Sequence, residues 1–166
     1  RSMLFKKLIK NLHKDIKNVK IRNLSLDSRT IKKGDLFFAL KGQKFDGKKF
    51  IISAIKKGAA AVICSKNTKI KNTKIPIIKV QNPKKTLINC CVKFYRPKPK
   101  NIVAVTGTNG KTSVAEFFYQ IFSLNKIPVA SIGTLGIKTK KLNKKLTLTS
   151  PDIISLHREL TKIKKK

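Results

Sequence analysis

The run Thr106-Gly107-Thr108-Asn109-Gly110-Lys111-Thr112 combines the side chains and the backbone freedom that phosphate chemistry requires. Two glycines let the main chain curl so that N–H groups converge on phosphate oxygens at the positive end of a following helix. A lysine just after the second glycine reaches the terminal phosphates, and the next hydroxyl is a ligand for Mg2+. The spacing Gly107-x-x-Gly110-Lys111-Thr112 is shorter than the strict phosphate-loop pattern, in which four residues separate the glycines and whose first glycine would fall on Val105. Its flanks favour the phosphate reading over a plain strand-to-helix turn with a surface lysine. Ile102 to Val105 reads as a short buried parallel strand, and Val114, Phe117, Phe118, Ile121 and Phe122 fall at helical spacing behind the loop.

A second polar cluster, Asp27-Ser28-Arg29, lies between strand-like stretches. A serine hydroxyl and an arginine fork suit a uracil edge or a phosphate, and an Asx or Ser turn explains the same residues equally well. Three cysteines, Cys64, Cys90 and Cys91, form no C-x-x-C pair and read as reduced thiols of a cytoplasmic protein. The two histidines, His13 and His157, make no metal constellation, so zinc is not expected.

The elements that must position these residues follow from apolar spacing. Residues 3–12 predict an amphipathic helix carrying Met3, Leu4, Leu8, Ile9 and Leu12. Strands are expected at 36–40, 59–64 and 75–80, with a polar loop over 66–74. A helix bearing Phe50, Ile51, Ala54 and Ile55 is closed by Gly58, and another begins at Pro83 with Leu87, Cys90, Cys91 and Phe94 on one face. Arg96-Pro97-Lys98-Pro99-Lys100 interrupts the pattern and predicts a boundary between domains at 1–97 and 98–166. Beyond it come a strand over 129–132, a glycine-marked turn, and a last helix from Asp152 with Ile153, Leu156, Leu160 and Ile163. The second domain reads as the beginning of a longer one.

Composition narrows the function classes. The chain has 166 residues, of which 40% are apolar, enough for a packed core. No apolar run approaches the ~20 residues of a membrane span. Forty Lys+Arg against seven Asp+Glu give a formal charge of +33, yet lysine dominates, every segment carries it, and arginines are few. That distribution reads as a solvated surface and not as a specific nucleic-acid interface, although weak salt-sensitive binding to polyanions is expected.

Together these segments resemble the Mur ligases of peptidoglycan synthesis. Asp27-Ser28-Arg29, Gly34-Asp35-Leu36-Phe37, Asp46-Gly47 and Gly58-Ala59-Ala60 are similar to the family's uridine-binding amino-terminal domain. Residues 106–112 are similar to the ATP loop of its central domain. Ser131-Ile132-Gly133-Thr134-Leu135-Gly136, Thr149-Ser150-Pro151-Asp152 and Leu156-His157-Arg158 resemble the member that adds the third amino acid. The resemblance implies an α/β fold: a small uridine-binding domain, then the truncated start of a parallel-sheet ATPase domain of P-loop type. It implies that Leu26, Ser28, Arg29, Gln43, Lys44 and Phe45 contact the uridine diphosphate end of the substrate, and Thr149 and Ser150 the muramoyl-dipeptide. Gly107 to Ser113 would hold ATP, with Lys111 as the catalytic cation and Thr112 on Mg2+. Gln43 stands where the family more often has histidine, and Ser150 where it more often has a second threonine. The implied reaction is ATP-dependent amide formation between UDP-N-acetylmuramoyl-L-Ala-D-Glu and a diamino acid by way of an acyl phosphate. The implied protein is monomeric and cytoplasmic, with no membrane or nucleic-acid partner, and these 166 residues alone are not expected to turn over. Two rival readings are a nucleotide-binding remnant without catalysis and a basic, nucleic-acid-associated P-loop protein.

Overall fold

A computed structural model describes residues 2–40, 50–70, 73–140, 142–144 and 152–165. Within it the chain divides into two compact units, residues 1–96 and 97–166.

In the first unit, β1 (Met3–Leu4) runs into α1 (Phe5–Leu8), and β1 pairs antiparallel with β2 (Lys20–Ile21). The single helix expected over residues 3–12 is therefore not formed. The Phe5 and Lys6 N–H groups donate instead to the carbonyls of Val19 and Lys17, and Asn11 takes a left-handed conformation at φ 57°. Of the residues expected on that helical stripe, Leu8 and Leu12 are buried while Met3, Leu4 and Ile9 are half-buried, and Phe5, which the stripe did not include, is fully buried.

β3 (Asn23–Ser25), β4 (Asp35–Ala39), β5 (Ala61–Ser65) and β6 (Ile77–Val80) form a four-stranded parallel sheet in sequence order. The register places Leu24 beside Leu36, Phe37 beside Val62, and Ile63 beside Ile78. α2 (Ile51–Lys56) connects β4 to β5, and its Ile51 and Ala54 join Phe37, Ala39, Val62 and Cys64 in one apolar cluster. Alternation sends Leu36, Phe38 and Ile63 to the opposite face, where α3 (Pro83–Phe94) packs. A sheet covered on both faces explains why β4 and β5 read as continuous apolar runs. All five residues of β4 are buried.

Helix ends follow local rules. Gly58 closes α2 at φ 93°, with the Gly58 and Ala59 N–H groups donating to the Ile55 and Ala54 carbonyls. Pro83 occupies the first turn of α3, and the Asn82 side chain accepts from the Lys85 N–H at 2.9 Å. Leu87, Cys90, Cys91 and Phe94 form its buried face. The three cysteines form no disulfide and are buried, and burial pushes the Cys90 thiol up to about 12. They are core residues.

The second unit contains α4 (Lys111–Leu124), β7 (Ala130–Gly133), β8 (Gly136–Thr139), β9 (Leu142–Lys144) and α5 (Ile153–Lys165). The last three strands form an antiparallel sheet, β7 to β8 to β9. Two expectations change here. The strand at 129–132 forms, but as one arm of a hairpin. The run Ile102 to Val105 is assigned no strand, and Ile102 and Val103 are 57% and 65% exposed. A buried parallel strand needs ladder partners, and the described strands of this unit bond among themselves. α4 forms as its spacing predicts, yet Val114, Phe117, Phe118 and Ile121 are all exposed. At α5 the Asp152 carboxylate accepts from the Ile154 and Ser155 N–H groups at 2.9 and 3.1 Å, capping the helix. Among the described residues no helix is long and apolar enough to cross a membrane.

Candidate functional site

The loop preceding α4 has the backbone that its glycines require. Gly110, the residue before the helix, adopts φ 73°, and a side chain there would be strained by the left-handed backbone even though the space around it is open. Gly107 stands at φ 153°, also a region L side chains rarely adopt.

The start of α4 differs from those of α3 and α5. Each of those is satisfied by a carboxylate or amide oxygen, from Asp152 and Asn82. α4 has no side-chain cap and no acidic residue in its first turn. The first main-chain donors of a helix have no partner within it, and among the described residues no side chain caps those of α4, a setting that suits an anion. Lys111 Nζ folds back over the loop and donates to the carbonyls of Gly107 and Thr108, the latter at 2.9 Å. Thr112 lies in the first turn, with its hydroxyl exposed. A lysine amine, main-chain N–H groups and a threonine hydroxyl form a hard, cationic donor set, which fits a phosphate chain carrying Mg2+. Gly107 to Ser113 thus come together as one loop and helix start, as the spacing predicts.

Two features of this region were not anticipated. Thr134, in the turn between β7 and β8, brings its Oγ1 to 3.4 Å from Thr112 Oγ1. Lys138 on β8 donates to the Glu116 carboxylate on α4 and lies over the Tyr119 ring, 4.8 Å from its centroid. This lysine bond, reinforced by the Gln120 amide, holds the Glu116 carboxyl below its usual range. The glycine-marked 133–136 turn was visible in the sequence; that Thr134 meets Thr112 depends on the fold. On α5, burial lowers the His157 imidazole, with Lys98 adding to the effect.

The Asp27-Ser28-Arg29 cluster lies in the first unit, directly after β3, at the carboxyl end of the parallel sheet. Its geometry is that of a turn. The Arg29 N–H donates to Asp27 Oδ1 at 2.8 Å, and the Thr30 hydroxyl and the Ser25 hydroxyl both donate to the Asp27 carbonyl at 3.1 Å. The Arg29 guanidinium is spent on Asp27, with Nε 3.0 Å from both carboxylate oxygens and Nη2 2.8 Å from Oδ2. That contact holds the Asp27 carboxyl below its ordinary value. Lys57 Nζ fixes the turn from outside by donating to the Arg29 carbonyl at 3.0 Å. Ser28 is buried and Leu26 half-buried. The Arg29 fork thus has Asp27 as a partner within the turn. Gln43, Lys44, Phe45, Thr149 and Ser150 lie outside the described residues.

Comparison with known proteins gives both units the same kind of relative. The Mur ligase family catalytic domain matches residues 20–95, and the Mur ligase middle domain matches residues 105–166. The UDP-N-acetylmuramoyl-L-alanyl-D-glutamate–2,6-diaminopimelate ligase of Brucella melitensis is 42% identical over 145 residues, covering 87% of this chain and 30% of that protein. The ligase of the same name from Rickettsia prowazekii is 40% identical over 153 residues, with 89% and 31% covered. A solved structure of a ligase with this name superimposes with a TM-score of 0.77 at 25% identity, over 99% of this chain and 34% of that one. The MurF ligase of Thermotoga maritima, solved in complex with ADP, gives 0.58 at 28% identity, over 84% and 29%. The chain spans about 30% of the length of the curated relatives it matches.

Proposed function

Because this chain belongs to the Mur ligase family, we propose that it carries the nucleotide-handling portion of an ATP-dependent amide ligase that extends a UDP-linked muramoyl peptide. The observation that carries the reading is the uncapped start of α4, with Lys111 and Thr112 at the mouth of a glycine loop. In this reading residues 1–97 bind the UDP-sugar and residues 98–166 begin the ATP domain. The substrate is UDP-N-acetylmuramoyl-L-Ala-D-Glu, and the added residue is a diamino acid, by analogy with the relatives' names. The setting is the cytoplasm, where ATP and nucleotide-linked sugars are both available, and the protein acts as a monomer.

The chemistry assigned to these residues is mostly positioning and charge neutralisation. The γ-phosphoryl group passes from ATP to the D-Glu carboxylate, forming an acyl phosphate and ADP. The diamino acid's amine then attacks the carbonyl, forming the amide and releasing phosphate. Lys111 must leave the Gly107 and Thr108 carbonyls to meet the terminal phosphates, and the N–H groups of the loop and of the first turn of α4 take the remaining oxygens. Thr112 would hold Mg2+, which supplies charge neutralisation across the phosphates. Leu26, Ser28 and Arg29, with Gln43, Lys44 and Phe45, are assigned to the uridine diphosphate end, and Thr149 and Ser150 to the muramoyl-dipeptide.

Calorimetric titration of the chain with UDP-N-acetylmuramoyl-L-Ala-D-Glu at moderate salt tests the substrate half. Saturable binding that Ser28→Ala weakens by about 1 kcal/mol, the scale of one hydrogen bond, is expected. A folded chain that binds neither this substrate nor ADP would overturn the reading. Turnover is not expected from these 166 residues, and steady ADP release dependent on both substrates would contradict that.

A further inference from the structure

The glycine loop accounts for Lys111 and Thr112 but leaves the β7–β8 hairpin without a role. Gly133 and Gly136 are paired across this hairpin, so Thr134 and Leu135 form its tip. The hairpin meets α4 at two points on one helix face. At the tip, Thr134 Oγ1 faces Thr112 Oγ1 at 3.4 Å. Farther along β8, the Lys138 amine is held by the Glu116 carboxylate and the Tyr119 ring. Thr112, Glu116 and Tyr119 are spaced i, i+4 and i+7, which stacks them along that face. Glu116 and Tyr119 therefore fix the strand that presents Thr134.

A hydroxyl that ligates a cation turns a lone pair toward it and must send its proton elsewhere. Thr134 Oγ1 is placed to take that proton. The present separation exceeds the roughly 2.8 Å of a closed O–H···O bond, and small rotations of two exposed side chains can close it. Resting on the nucleotide reading above, we infer that Thr134 is a positioning residue: it accepts the Thr112 O–H so that the Thr112 oxygen faces Mg2+, and the Glu116–Lys138–Tyr119 contact holds it there. Thr134 need not itself touch nucleotide or metal.

The test is equilibrium binding of N-methylanthraniloyl-ADP to the full chain, with Mg2+ and with EDTA, and the readout is the ratio of the two affinities. Thr134→Val, nearly isosteric at an exposed turn, is expected to lower that ratio about fivefold, the scale of one hydrogen bond, and to leave the EDTA affinity unchanged. Thr134→Ser should restore the ratio, and Glu116→Gln should lower it less. In a Thr112→Val background, Thr134→Val should add nothing, because the two act through one hydroxyl. A wild-type ratio in Thr134→Val, or Thr134→Ser failing as badly as valine, overturns the inference and leaves nucleotide binding standing. Binding by the folded wild-type chain that Mg2+ does not strengthen overturns this inference alone, whereas no binding of the probe with or without Mg2+ overturns the nucleotide reading and this inference with it.

Discussion

The two units answer the same kind of sequence signal differently. In the first, apolar periodicity ends in burial: Phe37, Phe38, Leu36 and Ile63 are at most 1% exposed, with helices on both faces of the sheet. In the second, the equally regular stripe of α4 leaves Phe117 62% and Leu124 82% exposed. Periodicity marks which face of an element is apolar. Burial needs a second surface against that face, and among the described residues of the second unit much of α4 has none.

The largest expected effect comes from comparing one phenylalanine in each unit. Phe37→Ala should cost about 3–5 kcal/mol in urea unfolding, because it leaves a cavity between β4 and α2. Phe117→Ala should cost well under ~1 kcal/mol, since that ring already faces solvent. Equal costs would mean that the α4 stripe is covered in solution and that the contrast fails. Thiol labelling probes the same difference by access. Cys90, buried and held as the neutral thiol up to about pH 12, should react with iodoacetamide at neutral pH only on unfolding. A cysteine introduced by Phe117→Cys should react without unfolding, and rapid labelling of the native thiols would show that the first core is not closed.

Local rules should not distinguish the units. Asn82→Ala on α3 and Asp152→Ala on α5 each remove a side-chain cap and should each cost about 1 kcal/mol. The smallest effect expected is electrostatic. The Glu116 carboxyl is depressed by Lys138, so its contribution is complete above the ordinary glutamate value of 4.5 and fades as pH falls through the lower folded value. Asp27 behaves the same way in the first unit through Arg29, below its ordinary 3.8. Glu116→Gln should therefore flatten part of the acid dependence of amide exchange at the β8–α4 contact and leave that of β4 and β5 unchanged.

The parts of the fold legible in the sequence are those fixed by neighbours along the chain. Pro83 at the start of α3, Gly58 after Ile55, Asp152 before Ile154 and the glycines around Lys111 all act within a few residues, and all appear in the structure as read. The apolar character of Leu8, Leu87 and Cys90 was equally legible, because burial tracks residue type. The misreadings fall where pairing decides. Residues 3–12 became strand, one helical turn and loop because β2 offered a ladder, and Ile102 to Val105 pair with none of the described strands although their sequence is strand-like.

The candidate site divides along the same line. By itself the sequence determined the glycine loop that carries Lys111 and Thr112, since glycines, lysine and threonine adjacent in the chain stay adjacent in space whatever the rest does. It also determined that Asp27 and Arg29 would be neighbours, though not that the guanidinium would close on the carboxylate. Only the tertiary structure decided that Thr134 meets Thr112, and that Lys138 reaches Glu116 and Tyr119, in each case across about twenty residues. Those contacts depend on how a hairpin lies against a helix, and packing of that kind is set by the whole surface of both elements, not by any short run of residues.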